Sequence, residues 1–159
     1  MTDLEVRAAL TERQAFGLTL YGEARGEDEA GRRAVASVIV NRRATGRWGK
    51  TFRSVCLWPA QFSCWLVIGG AANYACVMSA ARALVGPDPH ILPASLTACL
   101  ALADRAMAGK IEDTTGGAQF YMTSELYRNA PPFWALKCEM TVEIGRHIFL
   151  RPPTNTPAR

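Results

Sequence analysis

The sequence predicts a mainly helical α+β protein with a small antiparallel sheet near its C-terminus. Apolar residues recur at helical spacing through the first two thirds of the chain, and short strand-like segments follow in the last third. A length of 159 residues fits one domain. We therefore expect one compact domain over residues 1–151. Residues 152–159 are expected to form a loose tail, because they are rich in proline and contain no core residue.

Capping residues and apolar stripes define the predicted helices. Residues 1–10 are expected to be a lead-in or a first helical turn. Thr11 and Gln14 fit a capping box that opens a helix to about residue 24. Asp28 can cap the next helix, which ends near Gly46. Further helices are predicted over residues 52–56, 74–85 with Asn73 as the cap, and 93–108.

The last third of the chain predicts the sheet. Residues 118–122 read as a short aromatic strand, and residues 140–144 and 147–150 as a hairpin that closes near Gly145. The segment between the first strand and the hairpin is expected to be a long loop. Earlier in the chain, residues 66–72 are apolar and contain two glycines, which predicts a flexible loop or lid.

Composition narrows the class of protein without deciding its partner. Eighteen basic and 14 acidic residues give a net charge of +4, which suits an anionic partner such as nucleic acid, an acidic membrane or a cell-wall polymer. The odd number of cysteines argues against a fully paired disulfide framework, and no CxxC pair or histidine cluster indicates zinc. We interpret the five cysteines as small buried hydrophobes and predict neither a metal nor a cofactor. They are Cys56, Cys64, Cys76, Cys99 and Cys138.

The N-terminal sequence and the apolar stretches bear on location. The first residues, MTDLEVRAAL, lack the basic and then apolar order of a secretory signal. The longest apolar stretch, residues 64–72, is too short to span a bilayer. The sequence therefore predicts a protein made in the cytoplasm without a signal peptide and without stable membrane association.

The segment LYGEARGE, residues 20–27, joins two predicted helices through a glycine-marked corner that carries two carboxylates. Gly26 could provide a positive φ at this corner. Glu23 is expected where the first helix ends against the core. Partial desolvation there would favour a protonated carboxyl group, which a general acid needs near neutral pH. A solvated surface position is the ordinary alternative for a glutamate.

The segment QFSCW, residues 61–65, combines two aromatic rings with an amide and a hydroxyl. This mixture is typical of a cleft wall that binds sugar rings and their hydroxyl groups. Burial of Phe62 and Trp65 in an ordinary loop is an equally weighted alternative.

Four blocks of sequence, in this order, resemble the spore-cortex-lytic cell-wall hydrolases of the SleB/CwlJ type, especially the phage-borne members. The blocks are LTLYGEARGE followed by AVASV and NR, then QFSCW, then GA with Tyr121 and PFWA, and finally IGRHIF. Together they span about residues 11–151. The chain departs from the family pattern after Trp65, where LVIGGAA replaces the usual polar loop, and in the segment 120–122, which lacks a histidine.

The resemblance implies a compact fold related to lysozyme-like transglycosylases. It implies that the substrate is peptidoglycan, cut between N-acetylmuramic acid (MurNAc) and N-acetylglucosamine (GlcNAc). It assigns the catalytic acid to Glu23, and Glu27 is then structural or supports Arg25 and the turn.

The other candidate site residues are expected to bind the substrate. Hydrogen bonds to sugar are assigned to Gln61, Ser63 and Tyr121. Stacking faces or cleft walls are assigned to Phe62, Trp65 and Trp134, with burial in the core as the alternative. His147 is a candidate hydrogen-bond partner in the site, although a lone histidine on a strand is more often structural.

The sequence offers no convincing second carboxylate, which favours a lytic transglycosylase over direct hydrolysis. A hydrolytic muramidase is the alternative within enzymes. A non-catalytic basic module that binds cell wall or nucleic acid is the alternative of another class, because arginines are dense in the first third. We expect a monomer that acts on peptidoglycan glycan strands and does not bind nucleic acid. A holin-type partner, a virion and an unusual export route are open ways for it to reach the wall.

Overall fold

The computed structural model describes residues 1–68, 70–87 and 91–154. Gly69 of the predicted lid and residues 155–159 of the predicted tail lie outside the described residues. Within the described ranges the chain forms α-helices, short 3₁₀ segments and one antiparallel sheet, which confirms the predicted fold class. The α-helices are α1 (Asp3–Ala9), α2 (Glu12–Ala24), α3 (Glu29–Thr45), α4 (Phe52–Cys56), α5 (Ala71–Val85), α6 (Ala94–Met107) and α7 (Ser124–Asn129). The strands are β1 (Phe120–Thr123), β2 (Glu139–Ile144) and β3 (His147–Arg151), and the 3₁₀ segments are Ser63–Trp65 and Ala135–Lys137.

Helix α2 is the central element of the helical part. It packs against α3, α4, α5 and α6, and most of its residues are buried. A helix surrounded in this way is apolar on nearly all faces. One of its contacts is the stacking of Phe16 on Phe52 of α4, with ring centroids 5.3 Å apart. The predicted capping box is present, since the Thr11 side chain accepts from the Gln14 N–H. The predicted Asp28 cap of α3 is also present.

Two helix boundaries differ from the sequence prediction. The predicted lead-in is a complete helix, α1, with its own capping box between Thr2 and Glu5. Helix α5 begins at Ala71, before the predicted start, and Asn73 is not its cap. Instead, the Asn73 amide donates to the Gly22 carbonyl and accepts from Arg25. The Asn73 side chain, which the sequence pattern assigned to a helix cap, therefore binds α2 and the residue after it.

The sheet has the order β1-β3-β2, with antiparallel pairing throughout. Strand β3 is central and mostly buried, and the hairpin turn at Gly145 has φ +59°, as the sequence predicted. The predicted long loop between β1 and β2 is wrong in part, because it contains α7 and the second 3₁₀ segment. Thr123 caps α7 by accepting from the Leu126 N–H, so a capping signal was present in the sequence.

The corner after α2 turns without a positive φ at Gly26, so that expectation was wrong. Arg25 has right-handed helical angles, and the Glu27 N–H donates to the Ala24 carbonyl at 3.0 Å. A right-handed turn therefore reverses the chain without a left-handed residue.

None of the described helices has both the length and the apolar character needed to cross a bilayer. All five cysteines are free, and Cys56, Cys64 and Cys99 are buried, as small hydrophobes would be. Within the described ranges, no three histidine, cysteine or carboxylate side chains are grouped so that they could hold a metal ion.

Gly22 lies where α2, the first 3₁₀ segment and α5 meet. A Cβ at this position would lie 2.4 Å from the Cys64 Cβ and 2.8 Å from the Val77 Cγ2. Only glycine allows this approach, and the approach brings the 3₁₀ segment against the end of α2 that carries Glu23.

The substitution Gly22→Ala should lower the free energy of unfolding by about 1–3 kcal/mol, because overpacking outweighs the higher helix propensity of alanine. Chemical denaturation measures this change. Gly26→Ala is the matched control, since its Cβ would meet only the Arg146 guanidinium at 3.5 Å, and its effect should stay within about 0.5 kcal/mol. Equal stability of the two variants would contradict the close approach at Gly22.

Candidate active site

Glu23 lies in the last turn of α2, half-buried, with hydrogen bonds to both carboxyl oxygens. Its Oε1 accepts from the Cys64 backbone N–H at 2.8 Å and from the Ser63 hydroxyl at 3.2 Å. Its Oε2 accepts from the Tyr121 hydroxyl at 2.6 Å. Donors from the 3₁₀ segment and from β1 thus fix one carboxyl group from two sides.

The groups around Glu23 are neutral donors. Burial and the neighbouring Glu23 carboxylate raise the pKa of Tyr121 well above its usual value. The same two causes raise the pKa of the Cys64 thiol well above its usual value. Both side chains therefore keep their protons at neutral pH. Three donors aimed at a carboxyl group stabilise the carboxylate that remains when it gives up a proton.

Phe62 and Trp65 are buried beside the site and do not face it, with 2% and 5% of their surface exposed. The Trp65 indole N–H donates to the Thr19 hydroxyl at 2.9 Å. The Phe62 ring packs under the Arg42 guanidinium, 4.8 Å from its centroid. Of the two weighted alternatives, the core position is therefore the observed one, and these rings anchor the segment that presents Ser63 and the Cys64 N–H.

Two cavities of about 520 Å³ each flank Glu23. Glu23, Thr123 and His147 line both cavities, so the two meet at the carboxyl group. The residues that line the first cavity only include Gly26, Glu27, Glu125, Glu143 and Gly145. Those that line the second cavity only include Arg42, Gln61, Ser63, Asn73, Tyr121 and Trp134. This arrangement leaves open space on both sides of the Glu23 carboxyl group.

Gln61 and Trp134, two of the residues that the sequence analysis assigned to substrate binding, line the second cavity. The Gln61 Oε1 accepts from the Trp48 indole N–H at 3.1 Å, which leaves its amide N–H groups for other partners. Trp134 is 45% exposed and packs against Phe120 with ring centroids 5.3 Å apart. An exposed ring supported from behind is suited to stacking on a sugar.

Arg42 is a site residue that the sequence analysis did not identify. It is buried, its Nε donates to the Gln119 carbonyl at 2.7 Å, and burial lowers its pKa. Its guanidinium lies 4.8–5.6 Å from the ring centroids of Trp48, Phe62 and Phe120. The only sequence signal for Arg42 was its place in the NR pair of the family resemblance. The local pattern around it indicated no more than the end of α3.

Glu27 lines the first cavity, and His147 lies beside it where the two cavities meet. Glu27 does not support Arg25, which bonds the Tyr21 carbonyl and Asn73 instead. The Glu27 carboxylate accepts from the Arg146 Nε at 3.1 Å. The His147 ring packs edge-on to Tyr121, with centroids 5.3 Å apart. His147 therefore packs against the ring of Tyr121, whose hydroxyl donates to Glu23.

Several of the other carboxylates are held by partners of their own. Asp28 caps α3, and Glu139 pairs with Arg151. Both oxygens of Glu143 accept hydrogen bonds, from Ser124 at 2.6 Å and Arg128 at 2.7 Å. The sequence analysis did not expect Glu125 and Glu143 at the site, yet both line the first cavity.

A sequence profile of the cell wall hydrolase family matches residues 26–150. The chain belongs to this family. The matched region begins after Glu23, so this match does not include the candidate acid. No curated protein sequence matches the chain.

Two solved structures resemble this cell wall hydrolase. One is the catalytic domain of the germination-specific lytic transglycosylase SleB from Bacillus anthracis, with 25% identity over 88% of this chain and 93% of that chain, and a TM-score of 0.61. The other is the catalytic domain of the Bacillus cereus SleB protein, with 24% identity over 88% of this chain and 89% of that chain, and a TM-score of 0.61. The fold of the cell wall hydrolase is thus that of a SleB catalytic domain.

The different positions of the two tryptophans predict different effects on stability. Trp65→Ala should lower the free energy of unfolding by about 3–5 kcal/mol, because it removes a buried ring and a buried hydrogen bond. Trp134→Ala should cost less than about 1 kcal/mol, because the ring is at the surface. Denaturant titration of both variants measures the difference, and similar losses would contradict the assignment of Trp65 to the core.

Proposed function

We propose that this cell wall hydrolase is a lytic transglycosylase that cuts the MurNAc–GlcNAc bond of peptidoglycan, with Glu23 as its acid and base. The observation that carries the proposal is the position of Glu23 between two cavities with three neutral donors on its carboxyl oxygens. The likeness to a domain described as a lytic transglycosylase supports the same reaction.

The reaction divides into two proton transfers. The protonated Glu23 gives its proton to the bridging glycosidic oxygen, and the bond from that oxygen to the MurNAc C1 breaks. The Glu23 carboxylate then takes the proton of the MurNAc C6 hydroxyl, and O6 bonds to C1. The products are a GlcNAc end with a free hydroxyl and a 1,6-anhydro-MurNAc end, and no water is consumed.

The donors around Glu23 serve the first transfer. When the acid releases its proton, a negative charge appears on the carboxyl oxygens. The Tyr121 hydroxyl, the Ser63 hydroxyl and the Cys64 N–H already point at those oxygens. They need no reorganisation to stabilise the new charge, which lowers the barrier.

The other predicted site residues have supporting roles in this proposal. Gln61 and Ser63 offer hydrogen bonds to sugar in the second cavity, and Trp134 offers a stacking face there. His147 contacts sugar where the two cavities meet. Phe62 and Trp65 act indirectly, because their burial holds the 3₁₀ segment in place.

A hydrolytic muramidase is the second candidate, and one observation favours it. Glu27 and Glu125 line the same cavity as Glu23, and direct hydrolysis normally uses a pair of carboxylates. Glu125 would then activate a water, and the product would carry a reducing end.

We further propose that the enzyme acts as a monomer on glycan strands at the cell wall, released there with the help of a holin-type partner. A nucleic-acid-binding module is disfavoured, because Arg42, one of the basic residues of the first third, is buried among aromatic rings and cannot contact a phosphate backbone.

Glu23→Gln should lower the rate of peptidoglycan cleavage by about 1,000-fold or more, since it removes the general acid. Mass spectrometry of digested peptidoglycan should show 1,6-anhydro ends with the wild type and almost none with the variant. Glu125→Gln is the matched control and should retain near-wild-type activity. A Glu125→Gln variant as inactive as Glu23→Gln, with reducing-end products from the wild type, would establish the muramidase instead.

Tyr121→Phe should lower kcat by about a hundredfold with little change in KM, because it removes one donor that stabilises the Glu23 carboxylate. Ser63→Ala should lower kcat by less than about tenfold, because its hydrogen bond is longer and more exposed. Steady-state rates on soluble glycan chains give both values. Full kcat in Tyr121→Phe would show that the 2.6 Å hydrogen bond has no part in catalysis.

A further inference from the structure

A buried carboxylate, that of Glu27, and a buried imidazole, that of His147, lie beside the cavities that flank Glu23. Only 7% of the Glu27 side chain and 11% of the His147 side chain are exposed. The Glu27 Oε1 and the His147 Nδ1 are 3.5 Å apart, although the residues are far apart in sequence. The proposed reaction does not use Glu27, so its burial needs another explanation.

The fold makes room for the Glu27 carboxylate with two glycines. A Cβ at Gly145 would lie 2.8 Å from the Glu27 Oε2, and a Cβ at Gly31 would lie 3.4 Å from the same oxygen. Arg146 contacts Oε1, but its side chain is 76% exposed, so a surface ion pair alone does not account for the buried position. A buried charge is costly unless it has a specific partner.

His147 is the second candidate partner of that charge. Its Nδ1 is buried, and within the described residues it makes no hydrogen bond of normal geometry. Its ring nevertheless lines both cavities. Since Nδ1 faces the interior beside Glu27, Nε2 is the ring nitrogen left to face the cleft.

We propose that Glu27 is a positioning residue that holds the proton of His147 on Nδ1, so that Nε2 accepts a hydrogen bond from the sugar bound at Glu23. The donor on the sugar is a hydroxyl or the acetamido N–H of an N-acetylated residue. The 3.5 Å contact shortens when substrate is bound, as hydrogen bonds in active sites often do. This inference rests on the proposed function.

The charges around His147 give the proposal a distinctive pH dependence. Glu23 faces the ring from the end of α2, Glu27 from the corner after α2, Tyr121 from β1 and Arg146 from the hairpin turn. Glu125 and Glu143 lie across the same cavity. Burial lowers the pKa of His147, Glu27 opposes this shift, and Arg146 adds to it. The ring is therefore neutral at neutral pH, as an acceptor must be.

The matched pair Glu27→Gln and Arg146→Gln separates this role from that of a structural ion pair. Loss of the Glu27 charge should lower the pKa of His147 by about 1 unit, whereas loss of the Arg146 charge should raise it by less. NMR titration of ¹⁵N-labelled histidine measures both, because the chain has two histidines and His147→Gln identifies the signal. The wild-type spectrum should show the Nδ1–H tautomer. A wild-type Nε2–H tautomer, or shifts of the same sign in both variants, would overturn the proposal.

Activity provides the second readout. Glu27→Gln and His147→Gln should each lower kcat by about tenfold or more, and the double variant should be no worse than either. Arg146→Gln should retain near-wild-type kcat at its optimum, with its acidic limb moved to higher pH. If Arg146→Gln loses as much activity as Glu27→Gln, the ion pair is what matters and the proposal is wrong. If the wild type forms no 1,6-anhydro product, the proposed function is wrong. The NMR tautomer and the two titrations test the Glu27–His147 interaction independently of that result.

Discussion

The hydrogen bonds to the Glu23 carboxyl group are the interaction on which the rest of the structure depends. They join the end of α2 to the 3₁₀ segment through the Cys64 N–H and to the sheet through the Tyr121 hydroxyl. The close approach at Gly22 allows the first of these contacts. The pairing of β1 with β3, with Tyr121 opposite Phe149, fixes the second. The helical part and the sheet therefore meet at one side chain, and distortion of either part displaces it.

The surroundings of that carboxyl group divide into a buried support and an open cleft. Burial of Trp65 and the stacking of Arg42 among aromatic rings hold the wall of the second cavity. The Glu27 carboxylate, packed against Gly145, holds the wall of the first cavity. Rigid support on both sides matters because preorganised donors stabilise charge without the cost of moving during the reaction.

Much of the fold follows from local sequence signals, but several features of the site do not. The caps at Thr11 and Asp28 and the turn at Gly145 are local, and the sequence predicted them. The partners of Asn73 and Glu27 are distant, and Arg146 is 119 residues from Glu27. The sequence around an aromatic residue in a loop has no periodicity that indicates whether its ring faces the core or the cleft. The burial of Trp65 could therefore not be decided from the sequence. Glu23 was predicted because the resemblance to a family identified its motif.

The central claim is that one carboxyl group completes the reaction without water. Digestion of peptidoglycan in water enriched in heavy oxygen tests this most directly, with mass spectrometry of the released MurNAc ends. We predict that these ends contain no heavy oxygen, because O6 of the same sugar closes the ring at C1. Heavy oxygen at C1 in the first products would contradict the account, since a water molecule positioned by another group would then be the nucleophile.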